Sequence, residues 1–199
     1  MKAQKYLYLL RKIKDVAFAT VDEHGNPQVR IIDIMIVEDE KLYFVVSRGK
    51  EVYKQISDNP NIAITAMTKD YLMIRLNGKV KKADQKLLSQ VFIDNSSMNE
   101  VYPGDSRNIL DVFCIYEGYG EVFDLSNHPI YREPFSFGGM KIEYKGFIIS
   151  NNCIECGACQ NICPQKSIDT GTPYKIKQEN CLHCGLCQEN CPVDAINKL

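Results

Sequence analysis

The chain has no Trp, only three His and a formal net charge of −1 over 199 residues. A near-neutral balance excludes a nucleic-acid binder that relies on bulk positive charge. No apolar run approaches the ~18 residues that a membrane-spanning helix needs, and no Gly/Ser tether divides the chain. The opening MKAQKYLYLLRKIKD reads as an amphipathic helix rather than a leader. Its apolar part is short, Arg and Lys follow at once, and no small-residue cleavage site appears. A cytoplasmic protein is therefore expected, in a compartment where thiols stay reduced. Before residue 153 Cys is nearly absent, and Cys114, in the strand-like DVFCIYE, reads as a small buried hydrophobe.

Hydrophobic residues make up 45% of the chain, with 11 Tyr and 8 Phe. That suffices for one ordinary domain and a small one. Eight of the nine Cys fall between 153 and 191, in CIECGACQNICPQKSI (153–168) and CLHCGLCQENCPVDAI (181–196). A disulfide scaffold would spread its Cys. Structural zinc favours two Cys-x-x-Cys pairs set apart by a longer spacer. Here the third Cys follows the second by three places and the fourth follows by four, with Pro next. That is the 4Fe–4S run of bacterial ferredoxins, in which the fourth Cys ligates the other cluster.

Residues 141–199 thus resemble the two-cluster bacterial ferredoxins. The resemblance assigns Cys153, Cys156, Cys159 and Cys191 to one cluster, and Cys181, Cys184, Cys187 and Cys163 to the second. Gly157 and Gly185 would supply the positive φ that a tight wrap needs. Pro164 and Pro192 would turn the chain after each crossing ligand. Between the copies, TGTPYKIKQEN reads as a hairpin with Tyr174 and Ile176 against the clusters. His183 sits inside the second loop, where four Cys already suffice as ligands. Each oxidised cubane with its thiolates carries roughly −2, which takes the loaded chain to roughly −5.

The first 125 residues alternate in the manner of strands: DVAFATVDE, QVRIIDIMIVE, KLYFVVS, NIAITAMT, YLMIRLNGKVKKA, ILDVFCIYEG and YGEVFDL. Helices are read at KEVYKQIS and DQKLLSQVFID, with a loop over 95–108. Six or seven strands of period two without a βαβ rhythm predict a β-barrel. The expected organisation is a barrel domain over 1–126, a joint over 127–146 with Phe135, Phe137 and a paired Gly, and a small α+β domain over 147–199.

VAFATVDEHGNPQVRII, KLYFVVSRGKEVYKQISDNPNIAI and MIRLNGKV resemble the pyridoxamine 5′-phosphate oxidase-like family, which are FMN-binding split barrels. The resemblance implies a mainly β fold with some helix, a homodimer, and FMN at the subunit interface. It places Arg30 and Lys50 on the phosphate, Ser47 beside them, and Ile31 and Ile32 along the ring system by backbone contact. The stretch before the Lys is shorter than in the oxidase, which makes Lys54 a rival of Lys50. Arg48 reads as surface, and His128 as a weak candidate ligand or acid. Tyr71, Asn77 and Tyr116 are candidates for the pocket lining. The oxidase's C-terminal substrate segment has no counterpart, which argues against a vitamin B6 oxidase.

The reading is an iron–sulfur flavoprotein oxidoreductase. It would pass electrons between two 4Fe–4S clusters and FMN, and to or from a small molecule or a soluble partner protein, with no nucleic acid or membrane involved and no catalytic side chain named. The alternatives are an electron carrier whose barrel only docks, or a barrel that takes haem or a deazaflavin.

Overall fold

The computed structural model describes residues 2–199, so Met1 of the opening segment lies outside the described residues. The chain divides into two compact units. The first takes in residues up to Thr68, Ile74–Gly120 and Phe135–Ile142. The second takes in Lys69–Met73, Glu121–Pro134 and Glu143–Leu199.

The first unit opens on α1 (Lys2–Ile13). Ala3, Tyr6, Leu7 and Leu10 recur on one face of it and are buried, as a helix one stripe of which meets a core requires. There follow β1 (Asp15–Val21), β2 (Pro27–Asp33), β3 (Ile36–Glu38), β4 (Lys41–Ser47), α2 (Glu51–Asp58), β5 (Asn61–Met67), β6 (Leu72–Lys82), α3 (Leu87–Asp94), the short α4 (Met98–Val101), β7 (Leu110–Asp124) and β8 (Tyr131–Phe137). They build one eight-stranded sheet in the order β2-β1-β5-β6-β7-β4-β3, with β8 also on β7. The pairs β1–β2, β1–β5, β3–β4 and β4–β7 are antiparallel. The fold is a mainly β split barrel.

Alternation decides which face is core. In β1 Val16, Phe18 and Thr20 are buried while their neighbours are not. Phe18 meets Phe44 with ring centroids 5.1 Å apart, and Phe44 meets Phe113 at 5.9 Å. A second apolar cluster forms where Leu88, Val91 and Phe92 of α3 pack on Tyr43, Leu110, Val112 and Cys114. Cys114 is buried there, and burial pushes its thiol pKa up.

Two readings of the strands differ from the sequence pattern. ILDVFCIYEG and YGEVFDL form one 15-residue strand, β7. It runs through Gly118 and Gly120 because neighbours crowd both positions. A Cβ at Gly118 would stand 2.7 Å from the Asn77 carbonyl and 3.0 Å from Phe137, and one at Gly120 would strike the Arg75 carbonyl. The segment read as a joint holds a strand, β8, whose Phe135 and Phe137 are buried; Phe135 lies 5.1 Å from Tyr6.

In the second unit the elements are short: β9 (Phe147–Ile149), α5 (Ala158–Ile162), β10 (Ile168–Asp169), β11 (Lys175–Ile176), α6 (Leu186–Glu189) and β12 (Ile196–Lys198). β9 pairs with β12, and β10 with β11, both antiparallel. Among the described residues no helix is long and apolar enough to cross a membrane.

Candidate functional site

The two Cys runs fold as copies of one another. In each, the residue before the second Cys and the Gly after it take positive φ: Glu155 (57°) and Gly157 (77°), His183 (56°) and Gly185 (81°). The third residue after the fourth Cys does the same, at Lys166 (50°) and Asp194 (49°). Two left-handed residues in four curl the loop into a tight wrap. The curl aims backbone N–H groups at sulfur. Glu155 N–H donates to Cys153 Sγ at 3.4 Å, and His183 N–H to Cys181 Sγ at 3.4 Å. Ser167 N–H donates to Cys163 Sγ at 3.4 Å, and Ala195 N–H to Cys191 Sγ at 3.2 Å.

The wrap gathers thiols around two recesses. Cys153, Cys156, Cys159 and Cys191 line one of about 310 Å³, partly open to solvent, with Tyr174 and Ile196 on its wall. Cys163, Cys181, Cys184 and Cys187 line another of about 340 Å³, with Phe147 and Ile176. Each recess takes three Cys from one run and the fourth Cys of the other. No three described His, Cys, Asp or Glu side chains close on a single-ion point. The thiols instead stand around a volume, and donors aimed at sulfur favour thiolate, so the residues fit a polynuclear cluster. Burial pushes the thiols of Cys159 and Cys187 up, Cys187 to about 11. Burial pushes Cys163 up as well, but hydrogen bonds from the Ser167 side chain and from backbone N–H groups outweigh it and leave that thiol below its ordinary value. His183 is half-buried, and burial followed by the Arg132 charge lowers its pKa.

In the first unit the second candidate site is a corner of cations. Arg30 on β2 lies on the face opposite Val29 and Ile31. Its guanidinium donates to Thr20 Oγ1 at 2.5 Å and to Gln55 Oε1 at 3.0 Å, and Thr20 in turn donates to Gln55 at 2.5 Å. Thr20 and Gln55 are buried. Thus two neutral side chains orient a half-buried cation, and among the described residues no carboxylate pairs with it. Burial lowers the Arg30 pKa, with the Glu51 charge opposing. Gln55 belongs to α2, whose N-cap is Lys50 and whose first turn has no side-chain cap. Such a start offers N–H donors to an anion. Lys50 is exposed and without an ion pair among the described residues, and its N–H bonds the Ser47 carbonyl at 3.1 Å. Arg30 thus reaches α2 through Gln55, and Ser47 and Lys50 stand at the start of that helix.

The rival cations are occupied. Lys54 binds Glu23 at 2.7 Å and Asp58 at 2.9 Å. Arg48 binds Asp111 at 2.8 Å and the Asn108 carbonyl at 2.6 Å. Ile32 shares the Arg30 face and is half-buried, whereas Ile31 is 64% exposed on the other face. Tyr71 is exposed and falls in the second unit, Asn77 is exposed on β6, Tyr116 is half-buried on β7, and His128 is exposed. A further recess between the β1–β2 turn and α2 carries Asp22, Glu23, Glu51 and Asp58, and those carboxylates repel a phosphate.

Spacing alone did not single out Thr20, Gln55, Ser167 or Arg132. Ser167 has a local signal: it stands at the repeat position that Ala195 holds in the other copy. Thr20, Gln55 and Arg132 have none, because their partners are distant in sequence.

Comparisons with known proteins agree with this division. A family profile described as pyridoxamine 5′-phosphate oxidase matches residues 3–108, and one described as a 4Fe-4S dicluster domain matches 148–195. No curated protein matches the chain. Among solved structures, a NimC/NimA family protein from Clostridium acetobutylicum is 24% identical, with a TM-score of 0.58 over 68% of this chain and 92% of that one. A protein related to general stress protein 26, of the pyridoxinephosphate oxidase family, from Clostridium acetobutylicum is 14% identical, with a TM-score of 0.50 over 67% and 94%. General stress protein 26 from Bacillus anthracis is 19% identical, with a TM-score of 0.50 over 63% and 100%. At these identities the structures speak for the fold, and the profile, matched over more than half of the residues, speaks for the family. The chain belongs to the pyridoxamine 5′-phosphate oxidase family and carries a 4Fe–4S dicluster domain behind its split barrel.

Proposed function

We propose that the protein is an iron–sulfur flavoprotein that passes electrons between two 4Fe–4S clusters and FMN, and on to or from a small molecule or a redox partner. The observation that carries this reading is the crossed pair of four-thiol recesses. When bound, the clusters supply one-electron transfer and FMN converts between one- and two-electron steps. The chain's own residues bind and tune. Cys153, Cys156, Cys159 and Cys191 hold the first cluster, and Cys163, Cys181, Cys184 and Cys187 the second. Loop N–H groups stabilise the thiolates. Arg30 and Lys50 hold the flavin phosphate with Ser47 beside them, while Ile31 and Ile32 flank the ring system. The proposed domain bounds are 1–126 for the barrel, 127–146 for the joint and 147–199 for the cluster domain.

A homodimer in the cytoplasm is part of the same reading. Val29 and Ile31 of β2 stand opposite Ala19 and Ala17 of β1, which stand opposite Ala63 and Thr65 of β5. With Val29 72% and Met67 51% exposed, this is an apolar sheet face suited to a second copy.

The test uses the full chain, purified without oxygen. About eight iron, eight sulfide and one acid-released FMN per chain are expected. The flavin absorbance should bleach rapidly with a low-potential one-electron donor, and slowly in Cys191→Ala at equal flavin content. Iron and sulfide without flavin would reduce the protein to an electron carrier. Equal bleaching rates would give the two units separate work.

A further inference from the structure

The two recesses share one backbone plan but not one electrostatic environment. Among the described residues, the recess of Cys153, Cys156, Cys159 and Cys191 has Glu155 on its wall and no Lys, Arg or His. The recess of Cys163, Cys181, Cys184 and Cys187 has no carboxylate on its wall among the described residues. At the repeat position four residues past the fourth Cys, the first recess has Ala195 and the second has Ser167. Ser167 Oγ lies 3.3 Å from Cys163 Sγ, and against a thiolate the hydroxyl is the donor. Cys191 receives the matching backbone N–H but no hydroxyl.

A cation adds to the difference. Residues 121–134, from the end of β7 into β8, cluster with the second unit. They bring Arg132 beneath the second Cys run. Its side chain is 9% exposed. Nη1 donates to the Cys181 carbonyl at 3.2 Å, and the guanidinium stacks on Phe123 with 5.0 Å to the ring centroid. Nη2 donates to Glu121 Oε1 at 3.3 Å. That carboxylate does not cancel the cation at the recess. The guanidinium is the end of the pair that touches the Cys loop, and Glu121, 29% exposed, is better screened by water. Asn180 Nδ2 bonds the Ile130 carbonyl at 2.9 Å, and Ile130 N–H bonds Gln165 Oε1 at 2.9 Å, so the strand carrying Arg132 is tied to the chain on both sides of the recess.

Reduction adds an electron to the cluster and its thiolates. Donors to sulfur and a nearby buried cation stabilise the reduced form more than the oxidised one, and a carboxylate does the opposite. The hydroxyl and the cation act with the same sign, and Glu155, exposed to solvent, adds little to either side. We propose that the two cluster sites are unequal, and that Arg132 and Ser167 give the cluster of Cys163, Cys181, Cys184 and Cys187 the higher reduction potential. Both act through the ligands, as positioning and tuning residues. This rests on the proposed function, because it needs two cubanes in place.

Full-length holoprotein is poised anaerobically over a series of potentials and read by low-temperature electron paramagnetic resonance, with iron and sulfide measured on every sample. Two separate midpoints are expected. Arg132→Gln and Ser167→Ala each lower the upper midpoint and leave the other, by about tenfold in the electron equilibrium, about 59 mV for one electron. Ala195→Ser, which offers Cys191 a hydroxyl, raises the lower midpoint. Should Arg132→Gln lose the fold, Ser167→Ala, which removes one oxygen, decides alone. Coincident midpoints with eight iron in place overturn the inequality and leave the proposed function standing. An upper midpoint indifferent to Ser167→Ala overturns the assignment of the higher potential to this recess and likewise leaves the proposed function standing. A chain that takes up no cubanes overturns both.

Discussion

The barrel and the C-terminal unit solve the same problem with different materials. The barrel buries hydrocarbon: Phe18, Phe44, Phe113, Leu42, Ile74 and Leu76 are almost wholly removed from water. Its strands run to 15 residues. The C-terminal unit has strands of two or three residues, and its apolar cluster of Phe147, Ile149, Ile168 and Ile196 is completed by Cys159 and Cys187. In that unit the proposed ligands are also part of the core. So small a segment has little buried area to stand alone, and on the proposed reading metal stands in for it. The difference teaches where stability is to be sought: in side chains in the barrel, in the proposed clusters in the C-terminal unit.

The most drastic way to test that contrast is to remove the clusters. Anaerobic chelation with an oxidant should abolish amide-exchange protection across 147–199, while β1, β4 and β7 keep theirs. Protection retained throughout would mean that the C-terminal unit has a sufficient core of its own. The reverse probe attacks the barrel. Phe44→Ala removes a ring held between Phe18 and Phe113 and should cost about 3–5 kcal/mol. The cluster spectra of the protein that remains folded should not change.

A smaller effect sharpens the comparison at the ligand level. On the proposed reading clusters are held by covalent bonds to sulfur, FMN by placed charges. Arg30→Ala should weaken FMN binding by about 1.5–3 kcal/mol, the worth of one charge-assisted contact. Riboflavin, which has no phosphate, should bind both proteins alike in an equilibrium titration. Equal losses for the two flavins would move Arg30 off the phosphate.

The same contrast explains what could be read in advance. The Cys runs were legible because their geometry is local: spacing, Gly157, Gly185 and the Pro lie within a few residues of the thiols. The strands of the barrel were legible where alternation is clean, as in β1 and β4. β8 was not, since Pro134 and the paired Gly138 and Gly139 look like a loop, and only the burial of Phe135 and Phe137 makes REPFSF a strand. β7 looked like two strands because Gly118 and Gly120 weaken local propensity, and their reason is the close approach of β6 and β8. Arg132 had no signature at all, since its role depends on a carbonyl 49 residues away.

The gentlest test concerns a charge network that belongs to the barrel alone. Asp111 on β7 accepts from Tyr53 Oη at 2.6 Å, Arg48 at 2.8 Å and Lys82 at 2.9 Å, and joins the α2 corner to the sheet. Burial pushes this carboxyl up, but its three donors outweigh burial and hold it at about 2 against the ordinary 3.8. A carboxyl depressed in the folded state contributes stability above its unfolded value, and loses it as pH falls through the folded one. Asp111→Asn should therefore cost stability at neutral pH, and the penalty should fade between about pH 4 and pH 2. Arg48 and Lys82 are 45% and 59% exposed, so water screens much of the gain, and about 1–2 kcal/mol is expected. Urea unfolding of both proteins across that pH range measures it. A gap that stays constant down to pH 2 would assign the loss to packing and not to charge. On the proposed reading the C-terminal unit is held by its clusters, so its loss of iron should follow the same pH course in both proteins.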